Sequence, residues 1–278
     1  MKAYIFPGQG SQSKGMGGEL FDEFDHYTRT ADDILGYLIK SLCVDDAQRQ
    51  LNDTRYTQPA LFTVNTLSYL KALQNDPSPP ACVAGHSLGE YSALLAAGAF
   101  RFDVGLAIVK KRAELMSDAP AGGMAAVLDC PLDALKGCLR DAGVDGIDIA
   151  NYNADSQIVI AGARTELAAA FAAFDERNVR YVPLRVSAAF HSRHMAPLVD
   201  AFRAFLRGIE FRPLRVPVVS NLDGALYRDD DLIERLSAQL CGSVMWRDSV
   251  LRMRALGVTR FIEVGPGDVL TKLNGKIA

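Results

Sequence analysis

Several classes of protein are excluded by what this sequence has little of. Its five cysteines (Cys43, Cys82, Cys130, Cys138 and Cys241) are odd in number, lie far apart and form no Cys-x-x-Cys pair. That gives no support to a disulfide framework or a zinc site, and it fits a reducing cytoplasm. No apolar stretch approaches the length of a membrane span. The apolar start, Met1 to Phe6, is broken at once by Pro7-Gly8-Gln9-Gly10 and is too short for the core of a secretion signal. There is no basic excess: 30 Lys and Arg face 33 Asp and Glu, a formal charge of -3. Nucleic acid and anionic membrane surfaces are therefore poor first guesses for a partner. Histidines number four, so any chemistry that needs imidazole has few places to reside.

What is present is apolar residue, 49% of a 278-residue chain, enough for a sizeable core in one large domain or a large domain with a smaller insert. Ala3 to Phe6 and Ala81 to Ala84 are short apolar runs closed by Gly- and Pro-rich loops, which predicts buried strands. Between them, apolar residues at helical spacing from Pro59 to Leu73 predict a helix that stops before Asp76-Pro77-Ser78-Pro79-Pro80. From Gly123 the pattern reads strand (124–128), helix (131–142), strand (147–152), strand (157–161), helix (165–177) and strand (180–186). That order, β-α-β-β-α-β, is the ferredoxin-like arrangement. Helices at 195–207, 230–240 and 247–256 then alternate with strands at 216–220 and 260–264, as in an α/β parallel sheet. The expected architecture is an α/β-hydrolase-like catalytic domain of residues 1–123 and 190–278, with a ferredoxin-like small domain of residues 124–189 inserted in it.

Gly85-His86-Ser87-Leu88-Gly89 stands directly after a predicted strand and before a helical run, the context of a nucleophile elbow. Small residues at Gly85 and Gly89 relieve the crowding of so sharp a turn while the Ser87 oxygen is thrust out at a helix N-terminus. There the Leu88 N–H and the helix dipole can stabilise an oxyanion. The bland alternative is an ordinary Gly-rich strand-to-helix turn. The loop Phe6 to Gln12 offers the Gln9 N–H as a second donor. A phosphate-cradling role for it lacks the third glycine of a dinucleotide fingerprint, where Ser13 stands, and the Gly-Lys-Ser/Thr ending of a P-loop.

Serine needs a base. His86 adjoins Ser87 but should point away across the turn, and His26 lies in a polar stretch without catalytic cues. His191 sits where a strand ends and the chain re-enters the α/β domain, as ligand groups do in such sheets; His194, three residues on, is the alternative. No acidic residue marks itself as a third member, and a backbone carbonyl could orient the imidazole instead. On the helix Val104 to Met116, Arg112 falls among Leu106, Ile108, Val109, Ala113, Leu115 and Met116, opposite Lys110, Lys111 and Glu114. A guanidinium held against the core requires an anion, either a structural salt bridge or a substrate carboxylate, unless its stem simply snorkels. Beside a nucleophile elbow, it points to a short acyl group ending in an acid.

These residues also carry a family likeness. Phe6 to Gln12, Thr57-Gln58-Pro59-Ala60, Gly85 to Glu90, Lys111-Arg112 with Met116, Phe190-His191-Ser192 and Glu263 to Gly267, in this order and spacing, resemble the malonyl-CoA:acyl carrier protein transacylases and the related acyltransferases of polyketide synthases. The resemblance covers nearly the whole chain. It implies an acyl-enzyme on Ser87, His191 as base, an oxyanion hole from the Gln9 and Leu88 amides, and Arg112 on the malonyl carboxylate. It further implies a main-chain carbonyl near Leu256 that orients the imidazole, and Gln58 lining the pocket. Where fatty-acid transacylases usually carry a serine before the histidine, this chain has Ala189-Phe190-His191. The run Val186 to Met195 is more similar to discrete polyketide-type acyltransferases that serve synthases lacking their own. Phe190 would crowd an α-methyl group and favour malonyl over methylmalonyl.

The implied partners are malonyl-CoA and an acidic, phosphopantetheinylated acyl carrier protein, with CoA as product, no tightly bound cofactor, no nucleic acid and no membrane. Two rivals keep the same residues: a serine hydrolase that clears acyl groups from carrier proteins, and a catalytically silent docking subunit. Arg112 speaks against the first, and an intact Ser87 and His191 against the second.

Overall fold

A computed structural model describes residues 1–278. Its eight strands are β1 (Lys2–Phe6), β2 (Cys82–Gly85), β3 (Gly123–Leu128), β4 (Asp148–Ala154), β5 (Gln157–Gly162), β6 (Arg180–Pro183), β7 (Val218–Val219) and β8 (Arg260–Glu263). They form two four-stranded sheets in a mixed α/β fold. The first has the order β7-β2-β1-β8 with every pairing parallel. Its central strands are buried on both faces: Tyr4, Phe6 and Val83 join the main apolar core, while Ala3, Ile5, Cys82 and Ala84 join a second core on the opposite face. That explains why these strands read as unbroken apolar runs rather than as alternation. Phe6 pairs with Gly85, so the loop after β1 and the turn after β2 leave the same carboxyl edge side by side, where ligand groups gather in open parallel sheets.

The second sheet, order β4-β5-β3-β6, is antiparallel throughout. Ala125, Val127, Ile158 and Ile160 pack against Leu135 and Leu139 of the Leu132–Asp141 helix and Leu167 and Phe174 of the Arg164–Glu176 helix. The alternate residues Met124, Ala126, Val159 and Ala161 face the main core, as the two-residue period of a strand requires. At its β4 edge the sheet meets residue 244: the Val244 N–H donates to the Ala150 carbonyl at 2.8 Å, and the Val244 carbonyl accepts the Tyr152 N–H at 2.9 Å.

Some expected boundaries move. The helix expected to open at Pro59 runs from Thr54 to Asn75, because the Asp53 side chain caps it by accepting the Arg55 N–H and Pro59 is carried inside. The strand expected at 180–186 ends at Pro183, and that at 216–220 shrinks to Val218–Val219. Three helices precede the long one, Leu20–Glu23, Asp25–Leu35 and Ile39–Val44, in a polar stretch.

Candidate active site

The turn after β2 is as crowded as its glycines imply. A Cβ at Gly85 would stand 1.9 Å from the Gly89 carbonyl carbon, and one at Gly89 would stand 2.0 Å from the Phe6 oxygen. Ser87 sits at the top with φ of 51°, a left-handed backbone that a non-glycine residue keeps only when its surroundings over-determine it. Two side-chain amides do this. Asn221 Oδ1 accepts the Ser87 N–H at 2.7 Å while its Nδ2 donates to the Gly85 carbonyl at 2.6 Å. Gln239 Nε2 donates to the Ser87 carbonyl at 2.8 Å. The Gly89–Ala97 helix starts two residues on. The Leu88 and Gln9 N–H groups donate to no other backbone group, and both residues line the cavity above Ser87.

Of the four histidines, His191 is the one brought to the serine hydroxyl. Its Nε2 lies 2.7 Å from Ser87 Oγ. Its Nδ1–H donates to the main-chain carbonyls of Gln239 at 2.9 Å and Gly242 at 3.1 Å. The orienting carbonyl therefore does not come from near Leu256, which merely closes the Trp246–Ala255 helix; it comes from the end of the Leu232–Gln239 helix and the turn after it. With both acceptors on Nδ1, the tautomer is set and the Nε2 lone pair faces the hydroxyl. His191 is 3% exposed, and burial, followed by the charges of Arg112 and His86, pushes its imidazolium down to about 3. His86 turns toward the antiparallel sheet, 2.8 Å from Asn153 Oδ1, though it still borders the cavity. His26 lies exposed on the Asp25–Leu35 helix, and His194 is in the 3-10 turn Arg193–Met195 outside the cavity lining.

Arg112 is 1% exposed on the Phe102–Ser117 helix, and no carboxylate lies within ion-pair distance of it. Nη1 donates to Gln58 Oε1 at 2.7 Å; Nη2 donates to Gln239 Oε1 at 3.1 Å and to Ser87 Oγ at 3.3 Å. Nε has no partner, and the guanidinium lies 5.3 Å from the centre of the Tyr91 ring. The structural salt bridge and the snorkelling stem are thus both ruled out by geometry: the charge is buried against neutral oxygens and an aromatic face. Gln58 touches Arg112 directly, and its Nε2 approaches Met116 Sδ at 3.4 Å.

The cavity holds about 80 Å³. Its apolar wall is Met116, Met124, Leu184, Val186 and the nearly buried Phe190; its polar wall includes Gln9, Gln58, Ser87, Arg112 and His191. Two of the residues that hold this arrangement carry no local sequence signal. Asn221 and Gln239 are uncharged amides more than 130 residues from the serine turn. Glu90 closes the motif yet points away from the cavity into the core, fully buried. Burial pushes its carboxyl up to about 7, against hydrogen bonds from Asn221, Tyr227 and Gln239 and the charge of Arg112.

A hydroxyl poised on a neutral imidazole, with two unengaged amides beside it and a helix N-terminus beneath, is equipped to form and break a serine ester. Such an arrangement is what an enzyme working on acyl groups through a serine would need. The chain belongs to the acyl transferase family, whose domain description matches residues 3–275. It is 46% identical, over all of its length and 97% of the relative's, to the polyketide biosynthesis malonyl CoA-acyl carrier protein transacylase PksC of Bacillus subtilis. It is also 46% identical to the polyketide biosynthesis protein PksE of that organism, of which it spans only 36%. The solved malonyl CoA-acyl carrier protein transacylase of Burkholderia pseudomallei superposes with a TM-score of 0.97 at 44% identity, covering 100% of this chain and 97% of that one.

Proposed function

We propose that the chain is an acyl carrier protein S-malonyltransferase, moving malonyl from malonyl-CoA to the pantetheine thiol of a carrier protein in polyketide or fatty acid biosynthesis. The observation that carries this reading is Arg112: a buried guanidinium with no carboxylate partner, opening on the same cavity as Ser87 and 3.3 Å from its hydroxyl. An unpaired buried cation is costly, and a carboxylate on the substrate supplies what the fold withholds.

Ser87 Oγ attacks the thioester carbonyl while His191 Nε2 takes its proton, and the Gln9 and Leu88 amides hold the tetrahedral oxyanion. The carbon–sulfur bond breaks, the proton passes from His191 to sulfur, and CoA leaves as the thiol. The carrier's thiol then gives its proton to His191 and attacks the Ser87 ester, and the serine leaves reprotonated. Gln58 steadies Arg112, and Phe190 narrows the space an α-methyl group would need. No metal or redox cofactor enters this scheme. The silent-subunit rival requires a misaligned Ser87 and His191, and 2.7 Å is not misaligned.

The reading extends to the architecture: residues 1–123 and 190–278 as an α/β-hydrolase-like catalytic domain, 124–189 as a ferredoxin-like insert, and the cleft between them as the substrate path. For an acidic carrier, the favoured landing point is a groove of about 730 Å³ whose lining includes Arg49, Arg164 and Arg185, none of them ion-paired. Val186 lines both this groove and the serine cavity. A cytoplasmic setting follows from the substrates; no helix is long and apolar enough to cross a membrane.

Intact-protein mass spectrometry tests the proposal. Malonyl-CoA should leave one malonyl adduct, lost from Ser87→Ala and discharged by added carrier protein. Arg112→Ala should lower malonyl loading about 100-fold while acetyl loading survives. Absence of a malonyl adduct on the unaltered enzyme, or discharge only to free malonate, would sink the transferase reading.

A further inference from the structure

The scheme above gives no task to Glu90, yet this carboxyl is the point to which both restraints on the serine turn are tied. Oε1 accepts the Asn221 main-chain N–H at 2.8 Å and the Tyr227 hydroxyl at 3.0 Å; Oε2 accepts Gln239 Nε2. Asn221 and Gln239 are the two residues whose side chains grip the Ser87 N–H and carbonyl. Gln239 also turns its amide oxygen to Arg112 and lends its main-chain carbonyl to His191.

An amide can face Arg112 with its oxygen or, turned over, with its NH2. In the first orientation the NH2 meets Glu90 and the Ser87 carbonyl; in the second it meets a guanidinium that is also a donor. The Ser87 carbonyl and Glu90 Oε2 hold the first orientation together, and a carboxylate oxygen can only accept. We propose that Glu90 is a positioning residue that sets the orientation of the Gln239 amide, and with it the acceptor face offered to Arg112 and the pose of the Ser87 turn. This inference rests on the malonyl reading of Arg112. It adds that acyl selectivity depends on a residue that touches neither substrate nor Arg112's hydrogen-bonding nitrogens.

Glu90→Gln is the isosteric test. A glutamine at this position must aim its NH2 at a donor: at the Asn221 N–H, or at Gln239, which can answer only by turning over, losing the Ser87 carbonyl and pressing its own NH2 on Arg112. Leaving buried donors face to face costs enough for at least a tenfold effect. The expected result, from time-resolved intact-protein mass spectrometry with malonyl-CoA and acetyl-CoA, is a fall of about 30-fold in malonyl loading against about threefold in acetyl loading.

Tyr227→Phe separates this from a general weakening of the fold. It removes a hydrogen bond to the same carboxylate but leaves both amides held, so its malonyl-to-acetyl ratio should stay within about twofold of the unaltered enzyme. A folded Glu90→Gln protein with an unchanged ratio would overturn the proposal, as would a Tyr227→Phe protein with an equal loss of ratio. If Glu90→Gln does not yield folded protein, Gln239→Leu removes the oriented amide and keeps the carbonyl on His191. Its ratio should fall in the same way, and an unchanged ratio there would also overturn the proposal. Normal malonyl loading of the unaltered enzyme together with any one of these three outcomes refutes the positioning role alone; no malonyl adduct on the unaltered enzyme refutes the underlying reading.

Discussion

The two sheets carry their polar groups in opposite ways. Around the antiparallel sheet, charges stay at the surface and several are paired: Arg193 with Asp148 at 2.5 Å, Arg177 with Asp141 at 3.9 Å, and Arg180 with Asp129. Its core, from Ala125 to Phe174, is apolar throughout. At the carboxyl edge of the parallel sheet, Glu90, Arg112 and His191 are all buried, and none forms an ion pair. Stability is served by the first arrangement, since surface pairs cost little and an apolar core returns the hydrophobic gain. The second is expensive unless it is used. The difference fits the proposed function, with one sheet as scaffold and wall and the other as the seat of chemistry.

The sharpest way to break that contrast is to remove the base. His191→Ala should slow malonyl loading at least ~1000-fold, read as adduct formation against time. It should leave the protein folded, because what it deletes is an imidazole the fold keeps neutral at some cost. Unchanged loading would return the buried polar groups to a structural role. The mirror experiment is Phe174→Ala, in the apolar core of the antiparallel sheet. We expect a loss of about 3–5 kcal/mol in urea denaturation, with the malonyl-to-acetyl ratio intact. A changed ratio would mean that the wall tunes chemistry as well as shape.

The pH dependence of stability sharpens the contrast further. His191 has a depressed folded value, about 3, so its contribution is fully present above its ordinary 6.5 and is lost as pH falls toward 3. Glu90 has a raised value, about 7, so its contribution is full below its ordinary 4.5 and is lost as pH rises through 7. Replacing His191 with glutamine should therefore help the protein more at pH 4.5 than at pH 7.5, by about 2–3 kcal/mol. Denaturation midpoints at the two pH values check this, and an equal effect at both would show that the imidazole is not held neutral by burial.

How much of this was readable before folding depends on whether a residue's signal is local. Ser87 was, because the elbow needs its glycines within two positions on either side. Arg112 was, because one charge in an apolar helix face breaks a periodic pattern. His191 emerged from a short list and from its place after a strand. Asn221 and Gln239 could not be found this way: their work is done by neutral amides on distant segments, and only the parallel pairing of β2 with β7 and the closure of the Leu232–Gln239 helix bring them to the turn. The carbonyl placed near Leu256 missed for the same reason, since any main-chain carbonyl can accept and nothing in a side-chain pattern says which one does. For the fold, apolar runs located the strands of both sheets, whereas the order β7-β2-β1-β8 and the short helices of residues 20–44 depend on tertiary packing.

The smallest expected effect lies outside the cavity, at the groove proposed above as the carrier's landing point. Arg164 and Arg185 come from the 124–189 segment and Arg49 from the segment before the long helix, yet they converge on one groove beside Val186. Being exposed, each should contribute modestly and through long-range attraction, which salt screens within about 10 Å at 0.1 M. Arg185→Glu should raise KM for an acidic carrier protein about three- to tenfold at low salt, leave kcat and malonyl loading from CoA nearly unchanged, and lose most of that difference at 0.5 M salt. A KM effect that persists at high salt would point to packing by the arginine stem instead. An equal fall in loading from malonyl-CoA would place the residue on the CoA path, and the groove would then serve both thiols.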